Sequence, residues 1–281
     1  MYKRAVLLIA VFLSGCVEHS VISKTATLPN NEIVDIAGTK ANIDAGTLEK
    51  LHNLFAYRAS WPTALTHGRI VELVSREFLG TPYLSNHLIG SQNTPEQLVI
   101  DLRVFDCFTF IDYVEALSTS HNVDEFVQRL INIRYADGEI TFAQRKHFFT
   151  DWAEKNQLVA KDITAQISPD AVSVVKNLNQ KADGSSYLPG LPVIQRDITY
   201  IPSAKINDKL LARLRTGDYI GIYTNLPGLD ASHTGIFIMT QNGPVFRNAS
   251  SRKENMKVVD YPFMNYVKTT PGIIVMRSLS K

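Results

Sequence analysis

The chain has 281 residues, of which 45% are hydrophobic and 20% charged, enough apolar material for one large domain or two small ones. A formal net charge of +2 and the lack of any dense Lys/Arg run give no field suited to nucleic acid. Beyond the N-terminus no stretch is long and apolar enough to cross a bilayer as a helix.

The N-terminus opens on Lys3 and Arg4, followed by an apolar run from Ala5 to Leu13. This is the layout of a secretory signal and is too short to span a membrane. It ends in Leu13-Ser14-Gly15-Cys16, which resembles a bacterial lipobox. The resemblance implies that residues 1–15 are removed and that Cys16 becomes the lipidated first residue. The alternative is an ordinary cleaved signal with an incidental cysteine. Val17 and Glu18 follow in place of the Asp that favours inner-membrane retention. The expected location is therefore the periplasmic face of the outer membrane, with acyl chains as the anchor. The polar, weakly periodic stretch up to residue 44 reads as a lipidated tether. The chain has two cysteines, so lipidation of Cys16 leaves Cys107 with no second cysteine in a compartment that favours disulfides.

From Ala45 the pattern becomes helical, with Leu48, Leu51, Leu54 and Phe55 on one face. A second helix is predicted over Arg69–Phe78, with Gly80 near its C-cap, and Thr81-Pro82-Tyr83 as an extended turn. A third starts near Cys107, with Phe110, Ile111, Val114 and Leu117 on its buried face. A fourth covers Val123 to Ile133, and Thr141–Lys155 also reads as helical. Gly184–Pro192 is a turn-rich connector. Strands follow over Asp218–Thr224, Thr234–Thr240, Pro244–Asn248 and Gly272–Arg277. Gln241-Asn242-Gly243 is a hairpin turn in which Asn-Gly would supply positive backbone angles. Helices first and an antiparallel sheet afterwards give an α+β fold, placed in one domain over residues 45–281.

Three residues suggest chemistry. Cys107 opens a predicted helix, where unpaired N–H groups favour a thiolate. A small buried cysteine on the same apolar face would look alike. His233, in Ala231-Ser232-His233-Thr234-Gly235, opens a strand and could relay the thiol proton; a surface histidine is the plain alternative. Asn248 ends the return strand of the hairpin and could orient His233, or simply cap the strand. No His-Glu-x-x-His or comparable close pair suggests a metal, and no glycine-rich phosphate loop appears, so no cofactor is expected.

The order of these pieces resembles the NlpC type of papain-like cell-wall hydrolases, which commonly have His where Asn248 stands. A longer set is similar to a subfamily once catalogued as a domain of unknown function and now regarded as N-acetylmuramoyl-L-alanine amidase-like. The set comprises Leu79-Gly80-Thr81-Pro82-Tyr83, Phe105-Asp106-Cys107-Phe108-Thr109-Phe110, Arg134-Tyr135-Ala136-Asp137-Gly138, His147-Phe148-Phe149-Thr150-Asp151-Trp152 and Gly228-Leu229-Asp230-Ala231-Ser232-His233-Thr234-Gly235. The resemblance implies a papain-like domain with N-terminal helices on an antiparallel sheet and extra subfamily helices. Its activity would be cleavage of the amide between N-acetylmuramic acid, in its 1,6-anhydro form, and L-alanine in peptidoglycan fragments. Alternatives are an endopeptidase of the same fold acting between D-glutamate and diaminopimelate, and a murein-binding lipoprotein without turnover. The same resemblance implies that Tyr83, Asp106, Asp230 and Ser232 line the substrate groove. Their plain readings are a packed aromatic, a helix cap and two loop residues. Arg134, His147, Asp151 and Trp152 are expected to build a helical face over the groove, with His147 structural. The partners expected are muropeptides and the membrane, with the chain a monomer.

Overall fold

The computed structural model describes residues 31–156 and 158–280. The signal segment and Cys16 lie outside the described residues.

The first elements are a hairpin of β1 (Glu32–Ile36) and β2 (Thr39–Ile43), then α1 (Ala45–Arg58), α2 (His67–Arg76) and β3 (Leu98–Ile100). Next come α3 (Cys107–Ser118), α4 (Val123–Arg134), α5 (Asp151–Glu154), β4 (Ala160–Asp162) and α6 (Thr164–Ile167). The rest of the chain gives β5 (Val172–Leu178), β6 (Ile194–Pro202), α7 (Asp208–Leu211), β7 (Tyr219–Tyr223) and β8 (Ala231–Thr240). It closes with β9 (Gly243–Ser250), β10 (Lys257–Pro262), α8 (Phe263–Val267) and β11 (Gly272–Ser278). The helices start where side chains satisfy orphan N–H groups. Asp44 accepts from Thr47, Thr66 from Arg69 and Asn122 from Glu125.

The large sheet runs β10-β9-β8-β7-β11-β6-β5, with β4 on the far part of β11, and every pair is antiparallel. Strand alternation divides its side chains between two cores. Tyr219, Ile236, Ile238, Ala249, Ile274 and Met276 face the layer of α1 to α4. Ile220, Ile222, Phe237, Phe246, Ile273 and Val275 face the opposite way, against residues of α6, α7 and α8. Each fully buried large apolar side chain contributes about 1.5–3 kcal/mol relative to exposure. The fold is therefore α+β, as its sequence pattern predicts.

Helix α3 is pinned to the sheet at both ends. Near its C-terminal end the buried Glu115 accepts hydrogen bonds from Tyr219 Oη (2.7 Å) and Ser278 Oγ (2.6 Å) and meets His67 Nε2 (3.0 Å). At its N-terminal end Thr234 Oγ1 on β8 donates to the carbonyl oxygen of Cys107 (2.7 Å).

Several local expectations need correction. The tether does not extend to residue 44, because residues 32–43 are a hairpin with Ile36, Ala41 and Ile43 buried. Its two-residue turn, Ala37-Gly38, has both φ angles positive (51° and 80°), which matches strand twist, and β2 continues parallel to β3. Residues 141–155 are not a helix beyond α5. Their backbone groups bond sideways instead: Ala136 N donates to Gln144 O (2.7 Å) and Lys146 N to Arg134 O (2.8 Å). His147 N and Phe148 N both donate to the Asp151 carboxylate (2.9 and 3.0 Å). At the Asn242-Gly243 turn only the glycine takes a positive φ, of 103°. The connector at 184–192 joins β5 to β6, a hairpin the sequence reading leaves out.

Candidate active site

Asp106 is the N-cap of α3. Its Oδ1 accepts from the backbone N–H groups of Phe108 (2.9 Å) and Thr109 (2.7 Å), and Thr109 Oγ1 accepts from Asp106 N (3.0 Å). This reciprocal box fixes the chain direction at the residue before Cys107, which is half-buried at the first helical position. The helix terminus supplies partial positive charge there, the condition that favours a thiolate.

His233 lies at the start of β8, next to the residue that bonds Cys107. The strand carries a β-bulge there. Ile222 pairs with His233 but Tyr223 pairs with Ala231, so Ser232 is the extra residue. Bulges of this kind re-aim the neighbouring side chain. The imidazole is 7% exposed, stacks on Tyr266 (6.2 Å between ring centres, 21°) and meets the edge of Phe246 (6.1 Å, 70°). Its Nε2 is 2.9 Å from Asn248 Oδ1. Asn248 is buried, and its own Nδ2 donates to Phe246 O (3.1 Å), which fixes the amide oxygen toward the ring. The tautomer this assigns has the proton on Nε2, and leaves Nδ1 as the nitrogen able to accept one. Burial pushes the His233 pKa down to about 4; the Asn248 bond opposes this, Arg252 adds to it and Asp106 opposes it. The ring is thus neutral at neutral pH and can act as a base.

A cleft of about 580 Å³ runs along the first turns of α3. Its floor is Asp106, Phe108, Thr109 and Asp112 with Arg134, and its walls are the 86–93 loop, Phe142–His147 and Tyr187–Pro189. Burial holds the Lys146 ammonium down at about 8. Burial also raises the Asp112 carboxyl to about 6, although Arg134 Nε lies 3.1 Å away. Arg145 bonds Glu96 (3.0 Å) and the Gly90 carbonyl (3.3 Å), tying the 86–93 loop to the opposite wall. Among the described residues no group of three or more His, Cys, Asp or Glu side chains is placed to hold a metal ion.

The residues expected to line the groove separate. Asp106 lines the cleft and caps the helix at once. Tyr83 is bridged to Phe105, two residues before Cys107, and its N–H donates to Met256 O (2.9 Å). Asp230 is 2% exposed and turned inward. Its Oδ2 accepts from Thr150 N (2.7 Å) and Thr150 Oγ1 (2.8 Å), and its Oδ1 from Ala231 N (2.6 Å). A carboxylate spent this way holds the loop before β8 and does not line the cleft. Ser232 is exposed, outside the cleft lining, and serves the bulge. Arg134 and Trp152 are buried core residues, not an overlying helical face. The expectation missed Arg145, Lys146 and Tyr187, whose only sequence signal is a basic pair between aromatics and one tyrosine in a turn-rich connector.

With this geometry in view, the family follows. A family model for N-acetylmuramoyl-L-alanine amidase-like proteins, the AmiA-like family, matches residues 73–273, and the chain belongs to it. A solved N-acetylmuramoyl-L-alanine amidase from Bacteroides uniformis is 28% identical, with a TM-score of 0.65 over 75% of this chain and 98% of that one. Protein LPG0564 from Legionella pneumophila has the same fold at 24% identity, with a TM-score of 0.69 over 83% of this chain and 95% of that one. No curated protein matches.

His147 supplies a test of the cleft wall. Its Nε2 donates to Phe142 O (2.8 Å), and burial pushes its pKa down to about 4. Between pH 6.5 and 4 the unfolded chain takes a proton that the folded His147 refuses, so stability falls as pH falls. His147→Gln keeps a donor for Phe142 but does not titrate. In urea unfolding, the stability of wild type relative to His147→Gln should fall by up to about 1.4 kcal/mol per pH unit across that window. A difference independent of pH would contradict the buried neutral imidazole.

Proposed function

We propose that this chain is a papain-like cysteine amidase of the NlpC type, cutting the bond between the lactyl group of N-acetylmuramic acid and L-alanine in peptidoglycan fragments. The observation that carries this reading is the buried His233–Asn248 pair beside the N-terminus of the helix that bears Cys107. The Asn248 oxygen fixes the Nε2 proton, so Nδ1 faces the task of taking the Cys107 proton. The thiolate attacks the lactyl carbonyl, and a thioester forms as His233 hands that proton to the leaving alanine amine. Water then attacks the thioester with His233 as base, releasing the muramyl acid and the thiol. The Cys107 N–H, at the open end of α3, is one donor for the oxyanion, and the Tyr83 hydroxyl is the second.

The cleft suits the fragment. Its lining includes the aromatic side chains of Phe108, Phe142 and Tyr187, which suit a sugar ring. The reading for the substrate is the 1,6-anhydro form of the sugar. The mature chain is held by lipid on Cys16 at the periplasmic face of the outer membrane; Cys16→Ser should move it from the membrane to the soluble fraction. Recovery of Cys16→Ser in the membrane would remove the anchor from the account.

Mass spectrometry of a digested anhydro-muropeptide tests the activity. Wild type should release intact stem peptide and free sugar acid, and Cys107→Ala should release neither. A sugar still linked to a dipeptide would assign an endopeptidase instead. Cleavage surviving in Cys107→Ala would end the cysteine mechanism. Tyr83→Phe should raise the barrier by about 2.7–4 kcal/mol, seen as a fall in kcat with little change in KM. An unchanged kcat would remove Tyr83 from the oxyanion role.

A further inference from the structure

The loop between β7 and β8 carries the chain into His233, and it is gripped from one side by a lysine that the chemistry above does not use. Lys176, on β5, is 8% exposed. Its ammonium donates to the carbonyl oxygens of Thr224, Leu226 (2.8 Å) and Leu229 (2.9 Å), and lies 4.8 Å from the Tyr223 ring centre. An ammonium has three N–H donors, and all three are spent on carbonyls of a single loop. Three carbonyl dipoles turned toward one point repel each other unless a cation sits between them. Long polar side chains also lose rotamer freedom when fixed, so a buried lysine held this way has to return that in contacts.

The same loop is held at two further points. Asn179 N, just past β5, donates to Gly228 O (2.9 Å). Gly228 has φ +79°, and a Cβ there would come within 2.3 Å of Gln180 O, so the two backbones touch. Past the loop, Asp230 is fixed by Thr150, whose Oγ1 accepts from Arg196 of β6 (2.6 Å). The β5–β6 hairpin therefore clamps the segment that ends three residues before His233. Asn179 also bonds the connector that forms one cleft wall, accepting from Leu188 N (2.7 Å) and donating to Leu191 O (3.0 Å).

We propose that Lys176 is a positioning residue for His233, its ammonium fixing the 224–229 loop so that the imidazole is delivered at the Cys107 end of the sheet. The proposal rests on the reading of Cys107 and His233 as nucleophile and base, and two measurements keep them apart. The first is the pH profile of Cys107 alkylation by iodoacetamide in wild type, His233→Ala and Lys176→Met. The second is kcat and KM on the anhydro-muropeptide, with thermal unfolding in parallel. A folded Lys176→Met is expected to show an alkylation profile moved toward that of His233→Ala. Its kcat should fall by up to about 100-fold with KM nearly unchanged, as for a misplaced catalytic group. If Lys176→Met does not fold, Lys176→Arg is read the same way, since a planar guanidinium keeps the charge but cannot put three N–H groups at one point. A folded variant with the wild-type profile and kcat overturns the proposal alone. A wild-type profile unchanged by His233→Ala overturns the Cys–His reading beneath it, and the proposal with it.

Discussion

A histidine taken out of water is driven to its neutral form, and a neutral imidazole is a useful base only if the proton it keeps is on the correct nitrogen. In this protein that choice is made by one hydrogen bond, between His233 Nε2 and Asn248 Oδ1. The bond works because Asn248 is itself held: its amide nitrogen is committed to Phe246 O, so the oxygen cannot turn away. Phe246 and Tyr266 pack their rings against the imidazole. The rest of the molecule holds the N-terminus of α3, which bears Cys107, against the strand that carries His233.

The architecture does this with two separate attachments. Helix α3 is fixed against the sheet by Glu115 at one end and Thr234 at the other, so its N-terminus has little freedom to slide. The Asp106 box then sets the turn at which Cys107 emerges. On the sheet side, the bulge at Ser232 re-aims His233, and the buried Asp230 anchors the loop in front of it. The cleft along the first turns of α3 has walls from segments far apart in sequence, and neither Cys107 nor His233 is among its lining residues.

The parts legible in the sequence are those set by local rules. Helices α1 to α4 show apolar periodicity and polar caps, and β7, β8, β9 and β11 show apolar runs ended by turn residues. Cys107 at a helix start and His233 at a strand start follow from the same patterns. Other features depend on partners distant in the chain. The N-terminal hairpin is polar enough to pass for a tether until β3 pairs with it. Residues 141–150 have a helical spacing of aromatics, but their backbone groups bond to Arg134 and Asp151 instead. Asp230 is expected in the groove only through the family resemblance. Only the fold reveals Thr150 waiting for it. The three carbonyls around Lys176 have no sequence signal at all, because backbone acceptors carry no residue identity.

The central claim is that the acyl group passes through the sulfur of Cys107. Acid quenching during turnover of an anhydro-muropeptide, followed by digestion and mass mapping, tests it directly. The account predicts a muramyl adduct, joined as a thioester, on the peptide containing Cys107. Product accumulating while that peptide stays unmodified at every time point would contradict it.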